Sequence, residues 1–297
     1  MYIKNRIYSI SGKVFVYLML TLLFLVTFFP FWNIIVLSFN EASDSMRGGI
    51  MLWPRVFTLE SYRAVLHNME IYAAAKVSIL RVLVGVPLTL VNIALLAYGL
   101  SKRTLPGRKG ITLFFIMTMY FSGGLIPTYM IIKSLHLIDS FWVFILPGLV
   151  NVFWMILVRT YMEGLPVELE ESAKLDGAND FVIFFRIILP LCIPVLATIT
   201  LFSAIGQWNS WYDSYIYTNK KELVTLSAIL VRILNQYQTG GMLSDAGQLA
   251  AGAKKLPISS ETIRMTATVV ATLPIIIIYP LLQKYFIKGM MVGAIKG

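Results

Sequence analysis

Six long apolar stretches, separated by polar intervals, set the pattern of this chain: 14–39, 71–100, 111–132, 141–161, 181–206 and 263–287. Each is long enough to cross a hydrocarbon core about 30 Å thick, which takes ~20 apolar residues in a helix. Prolines recur inside them, at Pro87, Pro127, Pro147, Pro190, Pro194, Pro274 and Pro280. Soluble helices break at such residues, whereas membrane helices keep them because neighbouring groups satisfy the freed backbone atoms. The pattern predicts an all-α polytopic membrane protein with six transmembrane helices. On this reading 1–13 is a terminal segment, 14–287 the six-span body and 288–297 a tail.

Composition agrees. Hydrophobic residues make up 58% of the 297 and charged residues only 13%, about half the charged share of a soluble domain. Mean hydropathy is +0.75. The net charge of +10 would suit nucleic acid if it formed one patch. The Lys and Arg residues instead lie between apolar runs, where they set membrane orientation. Lys4, Arg6, Lys13, Lys102, Arg103, Arg108, Lys109, Arg159, Lys174, Arg186, Lys284, Lys288 and Lys296 fall on one side, close to span ends. That places both termini in the cytoplasm by the positive-inside rule. The first stretch is too long for a signal-peptide core and lacks a small-residue cleavage site, so it reads as a retained span. Cys192 is the single cysteine, which rules out an internal disulfide, and it reads as a packing residue.

This topology leaves 40–70 and 207–262 outside and one sizeable inner loop, 159–180. In that loop Pro166 suits a first helical turn. Glu168, Glu170 and Glu171 favour a helix N-terminus, and Gly177 can take the left-handed conformation that stops a helix. A short helix of about ten residues follows. A mere connector between spans is the bland interpretation. The spacing is more telling: Glu171-Ser172-Ala173, three residues, Gly177, nine residues, Ile187, one residue, then Leu189-Pro190.

That spacing resembles the Glu-Ala-Ala loop of ABC-importer permeases, with Ser172 in place of the usual alanine and Asp176-Gly177-Ala178 as in carbohydrate-type members. Ala97-Tyr98-Gly99-Leu100-Ser101-Lys102 is similar to the end of the second span in sugar permeases. The C-terminal Gly289–Gly297 stretch resembles the tail of the second permease subunit in maltose-type importers. The resemblance runs over the whole chain and implies a type I importer permease fold. It implies that Glu171, Ser172, Ala173, Asp176, Gly177, Ile187 and Pro190 couple to an ATPase, and that Gly293, Lys296 and Gly297 reach it through the tail. The implied partners are a second permease subunit, two cytoplasmic ATPase subunits carrying ATP and Mg, an extracytoplasmic solute-binding protein, and membrane lipid. This chain itself would hold no cofactor, since it has no Gly-x-x-x-x-Gly-Lys-Ser/Thr loop.

Past the fifth stretch, Trp208, Asn209, Trp211 and Tyr212 interleave aromatic rings with polar groups. Similar sugar permeases carry a Trp-Asn pair there, which implies a pathway for an oligosaccharide. Tyr215 and Tyr217 read instead as an interfacial aromatic belt. The Gly-, Ala-, Ser- and Lys-rich 239–260 is similar to the loop that meets the binding protein in maltose-type systems; a disordered loop is the alternative. Lys76 and Arg81 read as snorkelling to the outer surface, although an anionic sugar would give them more interest. A non-sugar solute stays open. A secondary transporter would show inverted repeats and mid-membrane carboxylates, and an enzyme a catalytic constellation; the spans show neither.

Overall fold

The computed structural model describes residues 2–236 and 259–294, with side chains over 12–235 and 259–277. In chain order the helices are α1 (Tyr2–Ser38), α2 (Ala42–Ser45), α3 (Glu60–Leu66), α4 (Met69–Ser101), α5 (Arg108–Tyr120), α6 (Leu125–Ser134), α7 (Val152–Glu163) and α8 (Glu168–Leu175). They continue as α9 (Asp180–Ile183), α10 (Leu189–Leu191), α11 (Ile193–Asn209), α12 (Tyr212–Tyr217), α13 (Leu226–Gln236) and α14 (Ser260–Ala294). Short 3₁₀ turns and one π-helical turn, Phe184–Ile188, link some of them. Among the described residues the only β pairing is an isolated bridge between Asn40 and Phe57.

The chain divides into two compact units, Met1–Met69 with Arg232–Thr272, and Glu70–Val231 with Leu273–Gly297. In the first unit the loop after α1 folds back onto the end of that helix. Asn40 is fully buried; its amide donates to Asp44 at 3.0 Å and Ser45 at 2.9 Å, and its carbonyl accepts from Val56 N–H at 3.0 Å. Phe39 stacks between Phe57 and Tyr62. The Asn40 amide, helped by Arg55, holds the Asp44 carboxyl below its ordinary pKa, while burial works against it.

The six predicted spans take two forms. Gly12–Ser38, Met69–Ser101 and Ser260–Ile277 are single helices long and apolar enough to cross a membrane. The other three are broken pairs: α5 with α6, bent by 117°, Phe141–Gly148 with α7, bent by 51°, and Asp180–Leu191 with α11, bent by 76°. Each break has a local cause. Gly124, at φ +82° and ψ −178°, holds a conformation open essentially to glycine alone. Pro147-Gly148 ends a 3₁₀ turn, after which Asn151 accepts from Trp154 N–H and starts α7 afresh. Pro190 lacks the N–H that would bond the preceding turn, and the backbone widens there into a π turn before Cys192 and Pro194 restart the helix.

The second unit is held by two apolar clusters. One joins Ile93, Ala97, Tyr98 and Leu100 of α4 to Met155 and Val158 of α7, Ala173 of α8, and Ile183, Phe184 and Cys192. The other joins Val77, Ile132, Val143, Phe144, Ile145 and Tyr217. Cys192 is free and fully buried, a packing residue. By contrast, Val14 to Phe31 of α1 expose large apolar side chains on all sides, as a helix bathed in lipid or covered by another subunit would.

Candidate functional site: a displayed helix and a polar cleft

The first candidate is α8. Its entry is a tight turn in which Leu169 N–H donates to the Pro166 carbonyl at 3.4 Å and Glu171 N–H to that of Val167 at 3.1 Å. Glu168, Glu170 and Glu171 occupy the first turn, where they face the positive end of the helix dipole. Gly177, at φ +82°, closes the helix, with Ala178 N–H bonded to the Ala173 carbonyl at 2.9 Å and Gly177 N–H to that of Lys174 at 3.0 Å. This is the doubly bonded left-handed cap of the Schellman type. Asn179 then accepts from Val182 N–H at 2.9 Å and starts α9.

α8 has two faces. Glu170 and Ala173, three residues apart, point into the chain; Ala173 is only 8% exposed and belongs to the apolar cluster. Its small side chain packs within this chain. Glu171, Ser172, Leu175 and Asp176 are exposed, Leu175 at 90%. Ile187 and Pro190 lie apart from α8: Ile187 is half-buried against the same cluster and Pro190 sits in the break of the fifth span.

Behind α8 lies a layer of charge. Lys102, just past α4, pairs with Glu170 and lies 4.1 Å from the centre of the Tyr98 ring. Burial alone would lower the Lys102 ammonium, but its hydrogen bonds to Glu170 and Tyr98 prevail and raise it above the ordinary lysine value. Glu163 at the end of α7 pairs with Arg108 and, at 2.8 Å, with Arg159. Arg108 also donates to the Leu100 carbonyl at 2.7 Å, and Arg159 to Thr112 at 2.9 Å. Lys102, Arg108, Glu163 and Glu170 line a cavity of about 390 Å³ with Pro166, Glu171 and Lys174.

The second candidate surrounds Arg81, and here the structure corrects the sequence. Arg81 does not snorkel. It is 3% exposed, with Nε donating to Gln207 at 2.5 Å, Nη1 to Asp213 at 3.0 Å and to the Ser210 carbonyl at 3.3 Å, and Nη2 also to Asp213. Its guanidinium carbon lies 5.0 Å from the Phe144 ring centre. The bidentate fit is the strong form of a charged pair. The sequence missed it because Arg81 and Asp213 lie far apart in the chain. Gly85, one turn on, makes room: a Cβ there would meet the Gln207 amide at 3.2 Å. Lys76 is exposed and lies over the Tyr72 ring, in keeping with snorkelling.

Arg81, Gln207 and Asp213 line a cleft of about 260 Å³ together with Thr89, Thr128, Asn151, Trp154 and Ser203. Trp208, Asn209, Trp211 and Tyr212 are not on its wall; the residues between and beside them are. Trp211 instead meets Tyr212 and Tyr215 edge-on in a partly exposed aromatic patch. Tyr217 is 7% exposed and stacks 6.1 Å from Tyr129, so it is a core residue and not part of an interfacial belt. Gly293 lies near the end of α14, whereas Lys296, Gly297 and nearly all of 239–260 fall outside the described residues.

Helical spans, a displayed helix with its glycine stop, and a polar cleft among the spans are the parts of a membrane permease. The chain belongs to the family of binding-protein-dependent transport system inner membrane components, whose model matches residues 4–292. It is 37% identical to the polygalacturonan/rhamnogalacturonan transport system permease protein YtcP of Bacillus subtilis (strain 168), over 99% of this chain and 100% of that protein. It is 30% identical to the arabinooligosaccharides transport system permease protein AraQ of the same organism, over 98% and 97%. It also aligns with the crystal structure of a bacterial ABC transporter involved in the import of the acidic polysaccharide alginate, with a TM-score of 0.82 and 30% identity, covering 95% of this chain and 98% of that one. The expected fold class and permease role therefore hold: this is an all-α, multi-pass ABC-importer permease, and its relatives are transport proteins rather than enzymes.

Proposed function

We propose that this chain is one half of the translocation pathway of an ATP-driven, binding-protein-dependent importer of oligosaccharides. It pairs with a second permease subunit. Two ATPase subunits supply ATP hydrolysis, with ATP and Mg bound on them, and a solute-binding protein delivers the sugar from outside. Both termini and α8 face the cytoplasm. The substrate class rests on the named relatives, which carry oligosaccharides or polysaccharides. A cleft offering Thr, Asn, Ser and Gln groups beside Trp154 suits a ligand with a hydroxyl rim and apolar C–H faces. Trp208, Asn209, Trp211 and Tyr212, at and just past the end of the fifth span, extend that pathway toward the second permease.

The observation that carries the coupling role is the two-faced α8. One face is fixed in this chain through Glu170 and Ala173, and the other presents Glu171, Ser172, Leu175 and Asp176 outward. A partner ATPase that grips the outer face moves the whole unit behind it, a rigid-body lever between two states. Ile187 and Pro190 support that lever at the break of the fifth span, and Gly293, Lys296 and Gly297 add a second contact through the tail.

The test is the Gly177→Val variant in the assembled importer, reconstituted with its binding protein. The chain should insert and assemble, hydrolysis should persist, and uptake should collapse. Normal uptake in that variant overturns the coupling assignment.

A further inference from the structure

We propose that α4 is a connecting rod, fixed in axial register by an ion pair at each of two stations, which carries movement of α8 to the Arg81 cleft. The inference rests on the reading of α8 as the coupling helix. At one station Lys102 pairs with Glu170 on the inner face of α8. Beside it, Tyr98 packs 5.0 Å from Phe184 at the start of the fifth span, and its hydroxyl donates to the Asp180 carbonyl at 3.4 Å. At the other station Arg81 grips Asp213, Gln207 and the Ser210 carbonyl at the end of the same span. One turn away on the same face, Ser78 accepts from Leu226 N–H at 2.9 Å. The stations lie about 30 Å apart along α4 at ~1.5 Å per residue, with Lys102 one residue past its end and Pro87 held inside a helix that runs on through it.

The contrast between stations and midsection is what makes a rod. Between them α4 buries mainly apolar groups, Val86, Ile93, Ala94 and Ala97, with the Thr89 side chain among them; apolar contacts resist separation but have no direction. Such a surface lets neighbours slide. The charged stations are directional, and the bidentate one fixes position along the axis. The fifth span cannot carry the same displacement stiffly, because it is bent by 76° at Cys192. α4 bridges that break from end to end. Lys102–Glu170 is the link to cut, since its side chains are 19% and 25% exposed while the Arg81 side chain is 4% exposed.

The experiment uses the whole importer in proteoliposomes and follows backbone hydrogen exchange of residues 207–214 with and without ATP and vanadate. In the wild type, ATP should change exchange in that segment. Lys102→Gln should abolish the change and lower uptake per ATP hydrolysed by about tenfold, the size of one lost charge-assisted hydrogen bond. The exchanged pair K102E/E170K should restore both, which a purely structural lesion would not do. Lys102→Arg keeps the pair and should behave as wild type, even if Lys102→Gln fails to fold. A change at 207–214 that persists in Lys102→Gln, or a swap that restores nothing, overturns the rod. If Gly177→Val uncouples transport while Lys102→Gln does not, the coupling helix stands and the rod falls. If neither uncouples, the coupling reading fails first and the rod with it.

Discussion

Arg81 and Leu175 lie in the same compact unit under opposite conditions. Arg81 is 3% exposed, and its three guanidinium nitrogens all donate within the chain. Leu175, on α8, is 90% exposed. A buried charge is tolerable only when its partners are supplied by the same fold, so the Arg81 cluster is finished and self-contained. A leucine held at the tip of a stiff helix gains nothing for this chain alone. The difference separates two kinds of functional residue: those that hold the pathway in shape, and those that wait for another protein.

The largest effect should come from breaking the finished site. Asp213→Ala leaves Arg81 buried and unpaired, and the cost should be about 3–5 kcal/mol, the usual penalty for removing one partner of a buried pair. Thermal unfolding of the detergent-solubilised protein would read it. The double variant R81M/D213L should recover much of that loss, because an apolar pair can replace a buried ionic one. Equal losses in the single and double variants would show that the two charges do not depend on each other.

A smaller effect is expected at the stop of α8. A Cβ added at Gly177 meets nothing within 4 Å, so the main cost is conformational: about 1–2 kcal/mol for an L-residue held left-handed. Gly177→Asn should cost less, since asparagine enters that region more readily. A Gly177→Asn variant as damaged as Gly177→Val would mean that bulk, not backbone angle, is what matters there.

Acid should sharpen the comparison next. Asp139 accepts the N–H groups of Asn219 at 2.5 Å and Lys220 at 3.1 Å. The Asn219 bond first, with Lys220 adding to it and burial opposing, holds its carboxyl below the ordinary value. The folded pKa is depressed, so this stabilisation is present above the unfolded carboxylate value of about 3.9 and is lost as pH falls through the folded one. Melting temperature against pH should therefore drop more steeply at the acid end in the wild type than in Asp139→Asn. Parallel curves would remove Asp139 from the account.

The smallest effect on stability is expected at the waiting surface. Leu175→Ser should change unfolding by no more than about 0.5 kcal/mol, as exposed substitutions do, yet weaken retention of the ATPase during purification. Reduced stability with unchanged retention would make Leu175 a structural residue after all.

Much of this was legible in the chain. The six apolar stretches, the acidic first turn of α8 and the left-handed stop at Gly177 follow from local rules, and the structure has them. What was not legible depends on contacts distant in sequence. Arg81 looked like a snorkelling cation because nothing near it in the chain hints at Asp213. Tyr217 looked interfacial because its neighbours are aromatic, yet it packs on Tyr129 and Val77. The breaks at Gly124, Asn151 and Cys192 were hidden by unbroken hydropathy, although the prolines and glycines that cause them were in view. α13 went unread for another reason: Leu226, Ile229, Leu230, Ile233 and Leu234 show the 3.6-residue period inside the interval 207–262, whose aromatic start drew the attention.

The central claim is that the outer face of α8 is where an ATPase takes hold. A photo-cross-linking residue in place of Leu175, irradiated in native membranes, tests it most directly. The account predicts an adduct with a nucleotide-binding subunit, and no such adduct from the same probe at Phe114 on α5. An equal yield from both positions, or an adduct at 175 with lipid alone, would contradict it.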